Sequence, residues 1–448
     1  MATGPKKSER IRMRPVVLVV GALFFGFVFI SNVTAQTRAE NLQSAWDTAL
    51  RVDHQVQSAR RITESANRSV AAAKDTRLPT ITVQTSYSVL DNTPEAIFQL
   101  PLGTSPGATI RQPIGNDKFV LSNVSVNLPV FTSGRIRDGI GAASAARNAA
   151  RDDEGRTVLD VKLEVAEAYI AVLRAQRALE VTQSNVVSLR SFAADVQNVY
   201  DEGIAPKNDL LAAQVALADA RQREIQKSNI VDIARASYNR LLGRPLTDPV
   251  VLEEIASEVP QADLQVVTQQ AFRARPELAA LSEQAEAFRK QASSVRAAQL
   301  PQLGVTAGNF FIQNDFLAHQ SVWSASIGVR WELFDGGVRR SQAGALDEKA
   351  EAVREQRLDA LSAVELQVRQ AWLDTQETGK RISVTQESLA QAEENLKVSR
   401  DRYVEGVGTN TEVLDAESLR VRTFSNYYDA IYDSVLAKMR LHRAIGDI

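Results

Sequence analysis

Residues 200–213 of the chain are YDEGIAPKNDLLAA, and residues 403–416 are YVEGVGTNTEVLDA. The two stretches lie 203 positions apart, and the same offset holds without a gap for more than a hundred residues around them. Matching pairs include Phe131 with Phe334, Leu163 with Leu366, and Gly243 with Gly446. A duplication of this length indicates one architectural unit used twice, side by side. Such a unit is more typical of half a quasi-symmetric assembly than of a catalytic domain.

The two copies differ in length upstream of this matching region. Leu78-Pro79 recurs as Leu300-Pro301, 222 positions later, so the first copy carries 19 additional residues before Phe131. We predict a first structural repeat at 36–246, a linker at 247–265 and a second structural repeat at 266–448.

The N-terminus has the three parts of an export signal. Five basic residues precede an apolar run from Pro15 to Ile30, and Val33 and Ala35 place small residues at the positions that a signal peptidase requires. We therefore predict a cleaved signal peptide at 1–35. The alternative is a permanent membrane anchor, but a spanning helix needs roughly 20 apolar residues. Cleavage would leave 47 basic and 53 acidic residues, a poor electrostatic match to nucleic acid.

Four stretches alternate between apolar and polar residues, which predicts strands at about 79–90 and 119–131 in the first copy and at about 301–312 and 322–334 in the second. Residues 41–77 predict one helix, which Leu78-Pro79 ends. A Pro/Gly/Thr-rich segment at 91–117 predicts a long loop between the first two strands.

Each predicted strand has one apolar and one polar face, which fits either a soluble sheet or a lipid-facing barrel. Trp323 and Trp331 lie on the apolar face near opposite ends of one strand, where the aromatic girdles of membrane barrels fall. The barrel is therefore favoured. Four strands are too few to close it, because about eight is the practical minimum, so the sequence predicts a homo-oligomer that shares one barrel.

A very long helix follows each strand pair, and the predicted helical hairpins span 135–243 and 338–446. Apolar residues keep a three-four spacing typical of coiled coils, as in Val158, Val161, Val165 and Ala168. The hairpin turns fall at the glycines of the two duplicated stretches, Gly203 and Gly406.

Signatures of catalysis are missing from the sequence. There is no P-loop, no HExxH zinc motif, no GxSxG elbow and no dinucleotide fingerprint. The chain has no cysteine, and its three histidines share no ligand-like spacing. We therefore expect neither an enzyme nor a protein that holds a metal or a cofactor.

The order of signal peptide, helix, Leu-Pro, strand pair, long helix, Tyr-x-x-Gly turn and return helix, given twice, resembles the TolC-type outer membrane efflux proteins. The resemblance covers about 41–448, and the stretch from Arg402 to Ala416 is similar to that family's second tip signature. It implies a mainly α-helical homotrimer with a small membrane β part, in which four strands per protomer form a twelve-stranded barrel in the outer membrane. The long helices would form a tunnel through the periplasm of a Gram-negative-type envelope.

The resemblance also implies roles for individual residues. Tyr403 and Asp209 match two residues of the family's gate, whereas the third, a basic residue, is replaced by Gly408. Glu412 and Asp415 match carboxylates inside the tip, which threefold symmetry would turn into rings that attract cations. The tips would meet a periplasmic adaptor connected to an inner-membrane pump, and their residues are Gly203, Ile204, Ala205, Gly406, Val407, Gly408 and Thr409.

The function implied is an exit duct of a tripartite efflux or type I secretion system. The alternative is a periplasmic coiled-coil adaptor or structural protein, which would share the helical hairpins but need no lipid-facing strands.

Overall fold

The computed structural model describes residues 39–102, 105–256 and 263–448, and the predicted signal peptide at 1–35 lies outside them. The elements in chain order are α1 (Leu42–Val52), α2 (His54–Asp75), β1 (Thr80–Val89), β2 (Glu95–Leu102), β3 (Ser105–Pro113), β4 (Lys118–Phe131), α3 (Arg135–Asp201), α4 (Lys207–Leu241), α5 (Leu264–Ala274), α6 (Pro276–Ala297), β5 (Gln302–Ile312), β6 (Ser321–Arg330), α7 (Val338–Val404) and α8 (Asn410–Ile445).

The prediction of a single helix at 41–77 is wrong, because the helix is interrupted at Asp53. Its backbone is extended, with φ −62° and ψ 130°, and its carboxylate accepts hydrogen bonds from the backbone N–H groups of Gln55 and Val56. Asp53 therefore ends α1 and caps α2. The second copy has a helix interruption at the equivalent place, where Arg275 is extended and Pro276 begins α6.

The segment at 91–117, predicted as a loop, contains the β2–β3 hairpin instead. Its strands pair antiparallel, with Ile97 opposite Arg111 and Phe98 opposite Ile110. The prediction failed because prolines and glycines in and around the two strands, as in EAIFQLPL and SPGATIRQP, obscure the alternation of apolar and polar residues. This hairpin lies within the region where the first copy is longer than the second.

The other strands form one antiparallel sheet in the order β1-β4-β5-β6. Directly opposed residues share a face of the sheet, and the register aligns Val83 with Val124, Val124 with Asn309, and Asn309 with Trp323. The main apolar sets of the four strands consequently lie on one face, whereas Phe310 and Val322 lie on the other. The opposite face carries the polar sets, with Thr82 opposite Ser125 and Gly308 opposite Ser324.

β6 ends four residues before the predicted boundary at 334. The last pair in its ladder joins Arg330 to Gln302, and the residue before Gln302 is Pro301, which has no N–H group to extend the ladder. Trp331 therefore lies just beyond the strand rather than inside it.

Two long helices dominate the fold. α3 and α7 have 67 residues each, so each is on the order of 100 Å long at about 1.5 Å per residue. Each begins after a glycine in the left-handed region, Gly134 at φ 92° and Gly337 at φ 87°. α4 and α8 return along them. No helix within 39–102, 105–256 and 263–448 combines the length and the apolar character needed to cross a membrane.

The largest core cluster lies where α1, α3, α4 and α8 meet. Tyr169 and Tyr238 are fully buried there and pack edge to face, with ring centroids 5.9 Å apart. The Tyr169 hydroxyl lies 2.7 Å from the carbonyl oxygens of both Glu40 and Glu253, and Arg244 pairs with the Glu40 carboxylate through two hydrogen bonds. These contacts fasten the start of the described chain to the predicted linker, of which residues 257–262 are not described.

Candidate functional site

The second hairpin turn is closed by its own backbone. Gly406 adopts φ 75°, which favours glycine, and the N–H groups of Val407 and Gly408 both donate to the carbonyl of Arg402 at 3.0 and 2.9 Å. The Thr409 hydroxyl then accepts the N–H of Glu412 at 3.3 Å and caps α8. The turn therefore has one defined shape.

The first turn has the same construction. Gly203 adopts φ 77°, and the N–H groups of Ile204 and Ala205 donate to the carbonyl of Val199 at 3.0 and 3.2 Å. Each tip exposes one large apolar side chain, Ile204 at 69% and Val407 at 66%. The duplicated sequence thus gives two similar tips, each with one large exposed apolar side chain.

Gly408 is held against the preceding helix end. A Cβ atom at this position would lie 3.0 Å from both the Arg402 Cβ and the Tyr403 backbone nitrogen. The turn would have to shift by a few tenths of an ångström to accept any side chain. This explains why a basic residue does not fit this position while the turn keeps its present shape.

Tyr403 is buried beside the tip. Only 7% of it is exposed, and its ring packs edge to face on Phe192 of α3, with centroids 5.4 Å apart. Its hydroxyl has no hydrogen-bond partner within the described residues. Burial, and then the negative charge of Asp209, raise the pKa of Tyr403 above its ordinary value. The two predicted gate residues therefore lie near each other but are not hydrogen-bonded.

Asp209 lies in the first turn of α4, where a carboxylate is favoured by the helix dipole. The Asn410 side-chain amide donates to its backbone carbonyl at 3.2 Å. This bond joins the starts of α4 and α8, which are the first residues after the two tips. The two hairpins are thus connected beside their tips by Asp209, Tyr403 and Asn410.

The two carboxylates predicted as pore rings differ in their surroundings. Both are exposed on the first turns of α8. A Glu412 oxygen lies 3.9 Å from the Arg402 guanidinium, whereas Asp415 has no ion-pair or hydrogen-bond partner among the described residues. Sequence reasoning missed Arg402 as the basic residue at the tip.

Sequence reasoning also missed two carboxylates that join helices. Asp433 of α8 pairs with Arg174 of α3 and Arg381 of α7. Glu417 of α8 is 2% exposed and accepts hydrogen bonds from side chains of α3 and α8. The available signal for Glu417 was its spacing, because it follows the buried Val413 by four residues, which places a carboxylate on the core face of a helix.

The apolar face of the sheet is exposed in the single chain. On this face, Trp323 is exposed by 79%, and Ile81 and Ile327 are exposed by 71% and 70%. Trp331 is also exposed, and its indole N–H donates to the carbonyl of Gln299 at 3.1 Å. A contiguous apolar surface of this kind indicates contact with a partner or with lipid.

Metal binding finds no support in the described part of the chain, where no three His, Asp or Glu side chains lie close enough to hold an ion.

A sheet with one exposed apolar face, continued by helical hairpins on the order of 100 Å long, fits a subunit of a membrane channel. The model of the family described as outer membrane efflux protein matches residues 45–244 and 267–447. The chain belongs to this family, and the predicted family, fold class and outer membrane location are confirmed.

Similar proteins include the alkaline protease secretion protein AprF of Pseudomonas aeruginosa, 24% identical over 348 residues that cover 74% of this chain and 70% of AprF. The protein CyaE of Bordetella pertussis is 26% identical over 299 residues, covering 64% of this chain and 62% of CyaE. Among solved structures, the outer-membrane channel OprN has a TM-score of 0.75 at 18% identity, covering 91% of this chain and 90% of that one. The CmeC outer membrane channel of Campylobacter jejuni has a TM-score of 0.74 at 15% identity, covering 91% and 86%.

Proposed function

We propose that three copies of the chain form the exit duct of a tripartite efflux or type I secretion system. The duct would receive cargo from a periplasmic adaptor and an inner-membrane pump and pass it to the cell exterior. The pump would supply the energy, because the sequence contains no nucleotide-binding signature. We expect no catalytic activity and no cofactor.

The register of the sheet is the observation that carries this proposal. It gathers the apolar residues of four strands on one exposed face and leaves β1 and β6 as open edges. Open edges carry unpaired N–H and C=O groups, which cannot remain unpaired in lipid. Pairing of β6 with β1 of the next copy would satisfy them, and three copies would give a twelve-stranded barrel, above the practical minimum of about eight.

The gate proposal rests on the tips. The Tyr403 hydroxyl is buried without a partner among the described residues, and buried hydroxyls in folded proteins nearly always have a partner. The negative charge of Asp209 acts on this hydroxyl within one chain, which makes the Asp209 carboxylate the candidate partner in the closed tip. We take the arrangement of this structure as the resting, closed one, in which Tyr403 and Asp209 hold the tips together.

The tip residues are candidates for adaptor docking. Ile204 and Val407 project from rigid turns and are more than half exposed. A solvated apolar side chain on a fixed turn gains free energy when a partner covers it. Gly203 and Gly406 provide the turn geometry, and Ala205, Gly408 and Thr409 complete the two tips.

The names of two relatives favour protein secretion over drug efflux as the duct's task. AprF and the PrtF protein of Dickeya chrysanthemi are both named as protease secretion proteins, and PrtF matches over 87% of this chain at 22% identity. The outer membrane protein OprJ of Pseudomonas aeruginosa matches at a similar identity of 23%. We therefore propose a secreted protein as the first cargo to test.

The rival proposal, a periplasmic adaptor without a pore, does not account for the exposed apolar face of the sheet. The test is extraction of membranes with alkaline carbonate, followed by mass determination of the detergent-purified particle. A duct should stay in the membrane fraction and purify as three chains. Release by carbonate, or a monomeric particle, would contradict the proposal and favour the adaptor.

A further inference from the structure

Glu417 is the buried carboxylate that the proposed gate does not use. It lies in the second turn of α8 and is 2% exposed. One oxygen accepts hydrogen bonds from the Asn185 amide at 2.8 Å and the Arg420 guanidinium at 2.7 Å. The other accepts the Ser188 hydroxyl at 2.7 Å and lies 3.9 Å from Arg400. Donors from three helices, α3, α7 and α8, therefore surround one carboxylate.

Arg400 connects this junction to the gate. Its guanidinium donates to the carbonyl and the hydroxyl of Ser188 at 2.8 and 2.6 Å, and it lies 6.0 Å from the ring centre of Phe192. Phe192 in turn packs on Tyr403. A continuous set of contacts thus runs from the tip, through α3, to Glu417.

The hydrogen bonds of the junction oppose small displacements of α8. A desolvated carboxylate is stable only while its donors are in place, and an unpaired buried charge is strongly disfavoured. Sliding α8 along α3 would withdraw Asn185 and Ser188 from Glu417 together. Small displacements are therefore resisted, and a large displacement must break the whole set of bonds.

The space for such a displacement exists beside the junction. A cleft with a volume of about 390 Å³ lies between α3 and α7, and its lining includes Ser188, Arg400 and Arg420. Arg400 and Arg420 line this cleft together with Glu393 and Asp401. The cleft therefore offers the two guanidinium groups alternative carboxylates when they leave Glu417.

We propose that Glu417 is a latch that holds α8 against α3 and α7 in the closed tip, and that opening requires its hydrogen bonds to break. Glu417 is a positioning residue, because its burial leaves it no surface to offer to the pore. The latch rests on the proposed function, since it needs a duct with a gate. It differs from the tip contacts of Tyr403 and Asp209 in its position, because it lies about 10 Å above the start of α8 at about 1.5 Å per residue.

The test compares single-channel recordings in planar bilayers for the wild-type protein and three variants. Glu417→Gln keeps the side-chain shape and removes the charge. Ser188→Ala removes only one hydroxyl, which both Glu417 and Arg400 use. Glu394→Gln is the control, because Glu394 is an exposed carboxylate on α7 without a partner in the described residues. The trimer content and the melting temperature of each protein are measured in parallel.

We expect Glu417→Gln to raise the open probability about tenfold, equivalent to about 1.4 kcal/mol, with a smaller rise for Ser188→Ala and none for Glu394→Gln. A purely structural role would lower the melting temperature and leave the open probability of the remaining trimers unchanged, which would overturn the latch. If Glu417→Gln fails to assemble, Ser188→Ala decides the question. A wild-type protein that never conducts would instead refute the proposed duct itself.

Discussion

The ring of Tyr403 packs edge to face on Phe192, with the two ring centroids 5.4 Å apart. This contact joins the second tip to the long helix of the first repeat, so the two copies of the duplicated unit are coupled where the gate is proposed. The Tyr403 hydroxyl has no partner within the described residues. The aromatic ring therefore anchors the tip within one protomer, and the buried hydroxyl lies within the electrostatic influence of Asp209 of the same protomer.

Removal of that hydroxyl should loosen the gate. We expect Tyr403→Phe to keep the packing on Phe192 but to raise the conductance of the purified channel, because the hydroxyl that can donate to Asp209 is lost. Asp209→Ala should raise it as well. The matched control is Tyr200→Phe, which changes the equivalent tyrosine of the first tip. Unchanged conductance in both Tyr403→Phe and Asp209→Ala would remove these residues from the gate.

Gly408 should be required for the shape of the second tip. A methyl group there would contact Arg402 and Tyr403, and overpacking of this kind costs about 1–3 kcal/mol. We expect Gly408→Ala to speed trypsin cleavage after Arg402 several-fold. The control is Gly344→Ala, in the second turn of α7, where an added Cβ would meet nothing within 4 Å. Equal cleavage rates in the two variants would show that the tip tolerates a side chain.

Gly308 should be required for the sheet. A Cβ atom there would lie 2.4 Å from the carbonyl oxygen of Val124, which forces β4 and β5 apart. We expect Gly308→Ala to reduce sharply the amount of trimer assembled in the outer membrane, measured by immunoblot of unheated membrane samples. Gly304→Ala in β5 is the control, because an added Cβ there would lie 3.5 Å from the carbonyl oxygen of Leu128, which is an ordinary contact. Normal assembly of Gly308→Ala would contradict the observed register.

Asp415 should dominate divalent-cation block. Glu412 is partly neutralised by Arg402, whereas Asp415 has no partner in the described residues. We expect Asp415→Asn to raise the half-blocking Mg²⁺ concentration about tenfold, equivalent to about 1.4 kcal/mol. Glu412→Gln should have a smaller effect. The opposite order in a bilayer titration would show that Glu412, rather than Asp415, faces the ion path.

The fold was largely predictable because its strongest signals are periodic. Alternation along the strands assigned Val83, Val124 and Trp323 to the apolar face, and the register places them on it. Three other features were not predictable from periodicity. Asp53 breaks a helix by capping the next one, and the β2–β3 hairpin is hidden by its turn-rich composition. The Glu417 junction depends on Asn185, which lies 232 residues away in the sequence.

The positions of the candidate site residues were predictable from the sequence, but the pairing of their side chains was not. The family resemblance selected Tyr403 and Asp209, which the structure places near each other. It could not supply Arg402 as the partner of Glu412, because that pairing depends on how the turn at Gly408 folds back on the helix end. Side-chain pairing across a turn follows from local backbone geometry, which a residue pattern does not specify.

The most direct test of the central claim, that three copies form a gated outer membrane duct, is planar-bilayer conductance of the detergent-purified mature protein with and without divalent cations. We predict small, cation-selective openings that divalent cations block. A protein that is soluble without detergent and shows no channel activity would contradict the claim.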